Sequence, residues 1–290
     1  MYLFQSSLSR AILDEIGKIK PDIKINVLRT FADEKNVILD MVYNKPANVN
    51  KIILDSGTYS IKTGNKKYSS RTKEDYKIFI SNHGNQFDFV FNFDIDHSDE
   101  GTEKNFENQL HFASQNLNVI PVIQNLNEVD YFCENAEKYP LVAIGSKKMK
   151  DKDAVKKSVE KLYANGKIKV HLFGESSFTV THDIPVYSTD SKSYIDWTIN
   201  NMISFFDMDS KKEIRLNLNR WNKLGKENND YYGFHDNYLP FVNWLHNHLN
   251  FLVQDLFLYN NLAIANSYYY WYLEQIITEE HKNQHFDFDE

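Results

Sequence analysis

The sequence predicts an α/β fold, a (β/α)8 TIM-like barrel with an aromatic-rich helical extension at its C-terminus, with a doubly wound open sheet as the competing architecture. Short apolar runs alternate with helical segments through the middle of the chain, which indicates parallel strands joined by helical crossovers. Runs such as Leu141–Ile144 are apolar without interruption, as expected for strands that are covered on both faces. About eight such runs can be counted, which is the strand number of a TIM barrel.

The first part of the chain supplies the less regular elements of this pattern. Ile12, Ile16 and Ile19 recur at helical spacing and predict a helix over Ser9–Ile19. The other expected elements are a short apolar start at Met1–Phe4, strands at Ile23–Leu28, Val37–Val42 and Lys51–Leu54, and a helix at Arg71–His83.

From residue 87 the alternation becomes regular. Strands are expected at Phe87–Phe93, Val119–Ile123, Leu141–Ile144, Ile168–Phe173 and Ile184–Ser188. Helices are expected at Glu103–Asn116, Glu128–Tyr139, Asp153–Ala164 and Ser193–Phe206. The aromatic segment Tyr238–Thr278 has helical character and is typical of a surface that packs on a core. We therefore expect a barrel domain over 1–208, and a basic segment with a helical extension over 209–290.

Composition limits the functional classes. The 290 residues carry a net charge of −7 and a single cysteine, Cys133, which excludes an internal disulfide and a cysteine-rich zinc cluster. No apolar run approaches the ~20 residues that span a bilayer, and no signal peptide is recognisable. No glycine-rich phosphate loop follows a strand, which removes the usual nucleotide cofactors. We expect a cytoplasmic protein without metal, cofactor or membrane association, and the Asn- and Lys-rich composition leaves a viral origin open.

Polar residues follow one predicted strand after another. In a parallel barrel the carboxyl ends of the strands converge on one face, so these residues predict a common site. Asp190 has a second interpretation as the N-cap of the next helix, a position that favours Asp. The residues concerned are Asp55 with Ser56 and Gly57, Asp94 and Asp96, Gln124, Gly145 with Ser146, and Asp190, and the end of the strand Ile168–Phe173 adds His171, Phe173 and Gly174 as further candidates for the pocket.

Three basic clusters, Lys62–Lys73, Ser146–Lys157 and Lys211–Lys226, have two interpretations. Such runs are usually solvated helix faces, but they also form surfaces that follow a phosphate backbone. The candidate phosphate contacts are Lys66, Lys67, Arg71, Lys147, Lys148, Lys192 and Arg220.

Six short segments, in this order, resemble the guanine transglycosylases, which exchange bases on a (β/α)8 barrel. The resemblance covers about residues 50–200 and is greatest to the branch that inserts 7-deazaguanine into DNA, because of the HLFG and YSTDSKSYIDW runs. The segments are LDSGTYS (Leu54–Ser60), FDID (Phe93–Asp96), VIPVIQ (Val119–Gln124), AIGS (Ala143–Ser146), HLFG (His171–Gly174) and YSTDSKSYIDW (Tyr187–Trp197).

The resemblance implies a role for each matching residue. Asp190 matches the nucleophile that attacks the sugar C1′, and Asp55 matches the general acid/base. Asp94 matches the aspartate that binds the guanine edge, with Asp96 as its neighbour. Gln124 and Gly145 match residues that contact the base through side chain and backbone, and Ser56, Gly57 and Ser146 beside the site are expected to contact the base as well. The implied partners are a nucleic acid, DNA rather than tRNA, and a free 7-deazaguanine base.

Two departures separate the chain from the tRNA enzymes of this family. Their zinc site of three Cys and one His is missing, since Cys133 is the only cysteine and lies upstream of Asp190. The Gly-Gly of their base-binding loop is Gly145-Ser146 here. A zinc-free tRNA enzyme, a nucleoside or glycoside hydrolase, and a non-catalytic nucleic-acid-binding barrel therefore remain alternatives. The oligomeric state is not predicted.

Overall fold

The computed structural model describes residues 1–59, 71–95, 97–98, 102–219, 238–284 and 286. Eight parallel strands alternate with helices. A two-stranded hairpin and two further helices follow them. The eight strands are β1 (Tyr2–Ser6), β2 (Ile25–Thr30), β3 (Val49–Asp55), β4 (Phe89–Val90), β5 (Val122–Ile123), β6 (Leu141–Ile144), β7 (Lys169–Leu172) and β8 (Ser188–Ser191).

The strand order is that of a TIM barrel. Hydrogen-bonded neighbours run β4-β3-β2-β1-β8-β7-β6-β5, so the first and last strands in sequence lie side by side. A parallel bridge between Phe91 and Ile120 joins the β4 and β5 ends of this sheet. There, the Asn92 N–H donates to the Ile120 carbonyl at 2.9 Å. The predicted fold class is confirmed.

Helices cover the outside of the barrel, and polar side chains fix where several of them begin. The side chains of Ser9 and Asp151 cap the first and sixth helices, and Thr72 with Asp75 forms a capping box at the third. These helices are α1 (Arg10–Ile19), α2 (Lys35–Tyr43), α3 (Lys73–His83), α4 (Thr102–Ala113), α5 (Val129–Glu134), α6 (Lys152–Ala164), α7 (Phe178–Asp183) and α8 (Ser193–Ile199).

Two expected elements are wrong, and a third is displaced, since the strand expected at Ile184–Ser188 lies at Ser188–Ser191. The segment Val37–Val42 belongs to helix α2, because its buried residues Ile38, Met41 and Val42 follow helical rather than alternating spacing. The helix expected over Ser193–Phe206 ends at Ile199. Asn201 then takes a positive φ of 51°, and the chain reverses into a strand.

That strand, β9 (Met202–Asp207), pairs antiparallel with β10 (Lys212–Asn217). The expected domain boundary at residue 208 falls in the turn between them. Two helices complete the described chain, α9 (Tyr238–Leu249) and α10 (Tyr259–Asn283), with a 3-10 turn at Val253–Phe257 between them. None of the described helices is long and apolar enough to cross a membrane.

Many of the described aromatic residues of the extension are core residues, as predicted, although Phe257 and Tyr259 are exposed. Tyr269 and Tyr270 of α10 are fully buried, and Phe241 of α9 packs on Phe205 of the hairpin at 5.4 Å between ring centroids. One continuous apolar cluster joins these helices to the outer face of the barrel. A separate cluster fills the barrel interior and consists of Phe4, Leu28, Ile53, Phe91 and Ala143. This inner layer forms a floor beneath the carboxyl ends of the strands.

Candidate active site

A cavity of about 360 Å³ opens at the carboxyl ends of the strands. Its size suits a nucleobase or a small nucleoside fragment rather than a large cofactor. Most of the residues predicted for the site line it, although they come from six different strands or the turns after them. These lining residues are Asp55, Ser56, Asp94, Gln124, Gly145, Phe173, Gly174, Asp190 and Lys192.

Asp190 lies within strand β8 rather than after it, and its carboxylate is held by two neighbouring strands. The Ser6 hydroxyl at the end of β1 donates to Oδ2 at 2.8 Å, and the Gly174 N–H donates to Oδ1 at 2.9 Å. The N-cap interpretation is wrong, since Lys192 holds the N-cap position of α8 and Asp190 makes no capping bond. The carboxylate is thus held in place by hydrogen bonds at the wall of the cavity.

Asp55 ends strand β3 on the same cavity. Burial raises the pKa of its carboxyl group to about 6, and the negative charge of Asp190 contributes to the rise. Lys192 and the Gly57 N–H, which donates at 3.1 Å, act in the opposite direction. The two carboxylates are therefore close enough to influence one another, and Asp55 can exchange a proton near neutral pH.

Gly57 makes the turn after β3 possible. Its φ is +73°, and a Cβ atom there would lie 2.5 Å from the Thr30 hydroxyl oxygen and 2.8 Å from the Ala32 nitrogen. A side chain at this position would push the β3 turn away from β2. The glycine was predicted to contact the base, and the structure shows that its absent side chain is what shapes the turn that carries Asp55.

Asp94 lies deep in the cavity between two amides. Asn92 Nδ2 donates to Oδ1 at 2.9 Å, and Gln124 Nε2 donates to Oδ2 at 2.8 Å. Burial raises the pKa of Asp94 to about 8, although both hydrogen bonds lower it. Asp94 therefore carries a proton at neutral pH when no ligand is present, and a ligand that donates hydrogen bonds would favour its ionised form.

Gly145 allows Gln124 to take up this position. A Cβ atom at Gly145 would come within 2.5 Å of the Gln124 amide oxygen. The two residues end the neighbouring strands β5 and β6, so the glycine leaves the space that the amide occupies. The backbone of Ser146 and Lys147 continues into a 3-10 turn (Ser146–Lys150), and their side chains lie outside the described part of the structure.

His171 and Phe173 of the HLFG segment are at different depths. Phe173 lines the cavity, whereas His171 is fully buried in the barrel interior beneath it. The two rings are in contact, with centroids 4.6 Å apart. The structure thus brings His171 under the site and not into its wall.

The predicted phosphate contacts are dispersed. Lys192 is exposed on the cavity rim, and Lys148 is half-buried in the turn after β6. Arg71 packs over the Phe31 ring and donates to the Asp33 carbonyl at 2.7 Å, which joins two loops. The residues Lys66, Lys67, Asp96 and Arg220 lie outside the described residues.

Several lining residues were not predicted. Ser6 ends β1 as the other polar residues end their strands, but the apolar start was too short to be recognised as a strand. Asn92 lies two residues before Asp94 and fixes one of its oxygens. The rings of Tyr59 and His97 also line the cavity, with centroids 6.0 Å apart. In the described part of the chain, no three His, Cys, Asp or Glu side chains gather as a metal site would require.

No protein-family model matches this chain, and no curated protein matches it. The resemblance to the guanine transglycosylases therefore stays a prediction. Independently of the resemblance, the geometry provides a cavity of nucleobase size. It contains the fixed carboxylate of Asp190, the carboxyl group of Asp55 with a pKa of about 6, and the hydrogen-bonded pair of Asp94 and Gln124.

Proposed function

We propose that the protein is a base-exchange glycosyltransferase that replaces guanine in a nucleic acid, DNA in preference to tRNA, with a 7-deazaguanine derivative. The observation that carries the proposal is the pairing of Asp190 with Asp55 across one cavity, where the charge of one carboxylate raises the pKa of the other. Such a pair is what a double displacement at an anomeric carbon requires.

Asp190 acts as the nucleophile. It attacks C1′ of the target nucleotide, the glycosidic bond to the base breaks, and a covalent sugar ester forms. An incoming base then attacks C1′ and releases the carboxylate, so two inversions give overall retention. The hydrogen bonds from Ser6 and Gly174 support this role, because they orient the carboxylate before the substrate arrives.

Asp55 manages the proton. It protonates the departing guanine and later removes a proton from the incoming base. A carboxyl group serves both steps best when its pKa lies near the working pH. The rise of its pKa to about 6 supports the assignment.

Asp94, Gln124 and Gly145 receive the base. The ionised Asp94 carboxylate accepts from the N–H groups of the guanine edge, while Gln124 both donates and accepts. The target nucleotide must leave its stack to reach the floor of this cavity, so the enzyme acts on a flipped or single-stranded nucleotide. Lys192 on the rim is suited to hold an adjacent phosphate, which makes binding salt-dependent. The single cysteine, Cys133, fits a reducing, cytoplasmic setting for this reaction.

One assay tests the proposal. Purified protein is incubated with radiolabelled guanine or a labelled 7-deazaguanine, once with DNA and once with tRNA. Incorporation into DNA is expected. Release of guanine without incorporation would identify a hydrolase, incorporation into tRNA alone would identify a zinc-free tRNA enzyme, and binding without either reaction would identify a non-catalytic protein.

Asp190→Asn tests the nucleophile in the same assay. The amide keeps the size of the side chain but cannot form the sugar ester, so the covalent protein–DNA adduct seen on denaturing gels should disappear. Exchange should fall by about 10⁴-fold or more, as expected when a nucleophile is removed. Full activity of this variant would refute the assignment.

A further inference from the structure

A fully buried polar side chain, His171 on strand β7, lies below the cavity. Its ring is 0% exposed and packs against Phe91 and Phe173, with centroid distances of 4.8 and 4.6 Å. Enclosing an imidazole in an apolar layer costs free energy unless its nitrogens find hydrogen-bond partners. A leucine or phenylalanine would fill the same space without that cost, so the position calls for a polar role.

The two ring nitrogens face different groups. Nδ1 lies 2.9 Å from the hydroxyl oxygen of Ser188, and Nε2 lies 3.5 Å from Oδ1 of Asp190. Nε2 is buried and makes no hydrogen bond in the described chain, so the Asp190 carboxylate is the charged group that it faces. A lone pair on Nε2 would be set against a carboxylate oxygen, whereas an N–H there is attracted to it. The Ser188 hydroxyl can donate to Nδ1 and so favours the tautomer with its hydrogen on Nε2.

Asp190 already has a hydrogen-bond donor on each oxygen in this arrangement. The Ser6 hydroxyl donates to Oδ2 at 2.8 Å and the Gly174 N–H donates to Oδ1 at 2.9 Å. Nε2 of His171 lies 3.5 Å from Oδ1 on the interior side. The third donor is therefore not needed to hold the resting carboxylate. The third donor, His171, becomes useful when the neutral ester between Asp190 and the sugar breaks and negative charge develops on the Asp190 oxygen.

We propose that His171 is a positioning residue that stabilises the Asp190 carboxylate as it leaves the sugar. The inference rests on the proposed function. In the second half-reaction, the bond between C1′ and the Asp190 oxygen breaks, and its electron pair returns to the carboxylate while the incoming base bonds to C1′. The Nε2–H of His171 faces this developing charge in a water-poor interior, where a fixed donor is most effective. The hydrogen stays on Nε2 throughout.

A matched pair of amide variants separates this role from packing. The amide nitrogen of Gln in His171→Gln reaches about as far as Nε2 and can still donate to Asp190. The shorter Asn in His171→Asn places its amide near Nδ1, so it keeps a partner for Ser188 and loses the donor to Asp190. Thermal unfolding of both variants reports whether the barrel is intact.

The two half-reactions are measured separately. Enzyme and DNA are mixed without incoming base, and the covalent adduct is quantified over time. Excess 7-deazaguanine base is then added, and the decay of the adduct is followed. His171→Asn should slow the decay roughly tenfold to a hundredfold, the usual effect of one hydrogen bond to a charged group, and the adduct should accumulate during turnover. His171→Gln should stay within a few-fold of the wild type.

Equal behaviour of the two variants, or equal slowing of adduct formation and decay, would overturn the inference while leaving the proposed function intact. A wild type that forms no adduct and exchanges no base would overturn the proposed function and this inference with it. If His171→Asn does not fold, Ser188→Ala replaces it, since it keeps the histidine and removes only the partner of Nδ1. That variant should slow adduct decay more than adduct formation, and an unchanged decay would contradict the proposal.

Discussion

Strand β1 donates hydrogen bonds to two buried carboxylates, one near each of its ends. At the carboxyl end, the Ser6 hydroxyl donates to Asp190, which borders the cavity. At the amino end, the Leu3 N–H donates to Oε2 of Glu274 at 2.7 Å, and Asn26 donates to the same oxygen at 2.8 Å. Glu274 belongs to helix α10 and does not line the cavity that Asp55 and Asp190 share.

The comparison shows that a perturbed pKa marks burial before it marks function. Burial raises the pKa of Glu274 to about 7, between the values of about 6 for Asp55 and about 8 for Asp94. The three groups differ in access: two face a nucleobase-sized space, whereas Glu274 faces its hydrogen-bond donors and the N-terminal amine. Titration near neutrality therefore nominates a catalytic group only when a ligand can reach it.

Among Asp55, Asp94 and Glu274, removing the carboxyl group of Asp55 should have the largest effect on base exchange. Asp55→Asn cannot donate or take a proton, and general acid/base catalysis is typically worth about 10²- to 10⁴-fold in rate. Base exchange should fall by that factor, while DNA binding, measured by fluorescence anisotropy, should be retained. The matched control is Glu274→Gln, which makes the same change from carboxyl to amide at the amino end of β1, away from the cavity. This variant should exchange bases at the wild-type rate.

The pH dependence of the wild type sharpens the same comparison. Asp55 must be protonated to release guanine, so single-turnover release should decline as the pH rises through about 6, the pKa of this group. Asp55→Asn should lose that limb of the profile, and Glu274→Gln should keep it. A profile unaffected by Asp55→Asn would assign the proton to another group.

Asp94 should show an intermediate effect, on binding rather than on rate. Its pKa of about 8 means that the Asp94 carboxyl group is mostly protonated at pH 7 before guanine binds. Asp94 must ionise to accept hydrogen bonds from the guanine N–H groups. Guanine binding should therefore release a proton, which calorimetry detects as an enthalpy that depends on the ionisation enthalpy of the buffer. Asp94→Asn should remove that dependence and weaken binding about tenfold to a hundredfold. Binding by the wild type without proton release at pH 7 would contradict this assignment.

Much of the cavity could be predicted from the sequence because one rule covers it. The carboxyl ends of parallel strands converge, so Asp55, Gln124, Gly145 and Asp190 could be grouped without knowing any distance. The rule says nothing about depth, however. It could not distinguish Phe173 in the cavity wall from His171 below it, since both belong to one short strand segment.

The missed features have identifiable causes. Ser6 follows an apolar run of only a few residues at the chain start, too short to be recognised as β1. Val37–Val42 is rich in β-branched and apolar residues, and its helical spacing was outweighed by that composition. The buried position of Glu274 was not predicted, because the residue lies in a segment dominated by aromatic residues. Tyr270, Glu274 and Ile277 nevertheless lie at helical spacing, and all three are buried. That periodicity was the available signal for a carboxylate on the packed face.

Glu274→Gln should leave exchange unchanged and alter stability alone. The pKa of Glu274 is raised from 4.5 to about 7 in the folded protein, so folding favours the protonated form. Its contribution is fully present below pH 4.5 and is lost as the pH rises through 7. The shift corresponds to about 3 kcal/mol across that range. Both donors converge on Oε2, so the Gln oxygen can accept both, and the variant stays neutral at every pH.

Urea unfolding of wild type and Glu274→Gln between pH 5 and 8 measures this contribution. The variant should gain stability relative to the wild type as the pH rises, by up to about 3 kcal/mol. Asp55 and Asp94 titrate equally in both proteins, so the difference between the two reports on Glu274 and its interaction with the N-terminal amine. If the difference in stability stayed constant with pH, Glu274 would be ionised over the whole range. The site at the amino end of β1 would then bury a charge without the expected loss of stability.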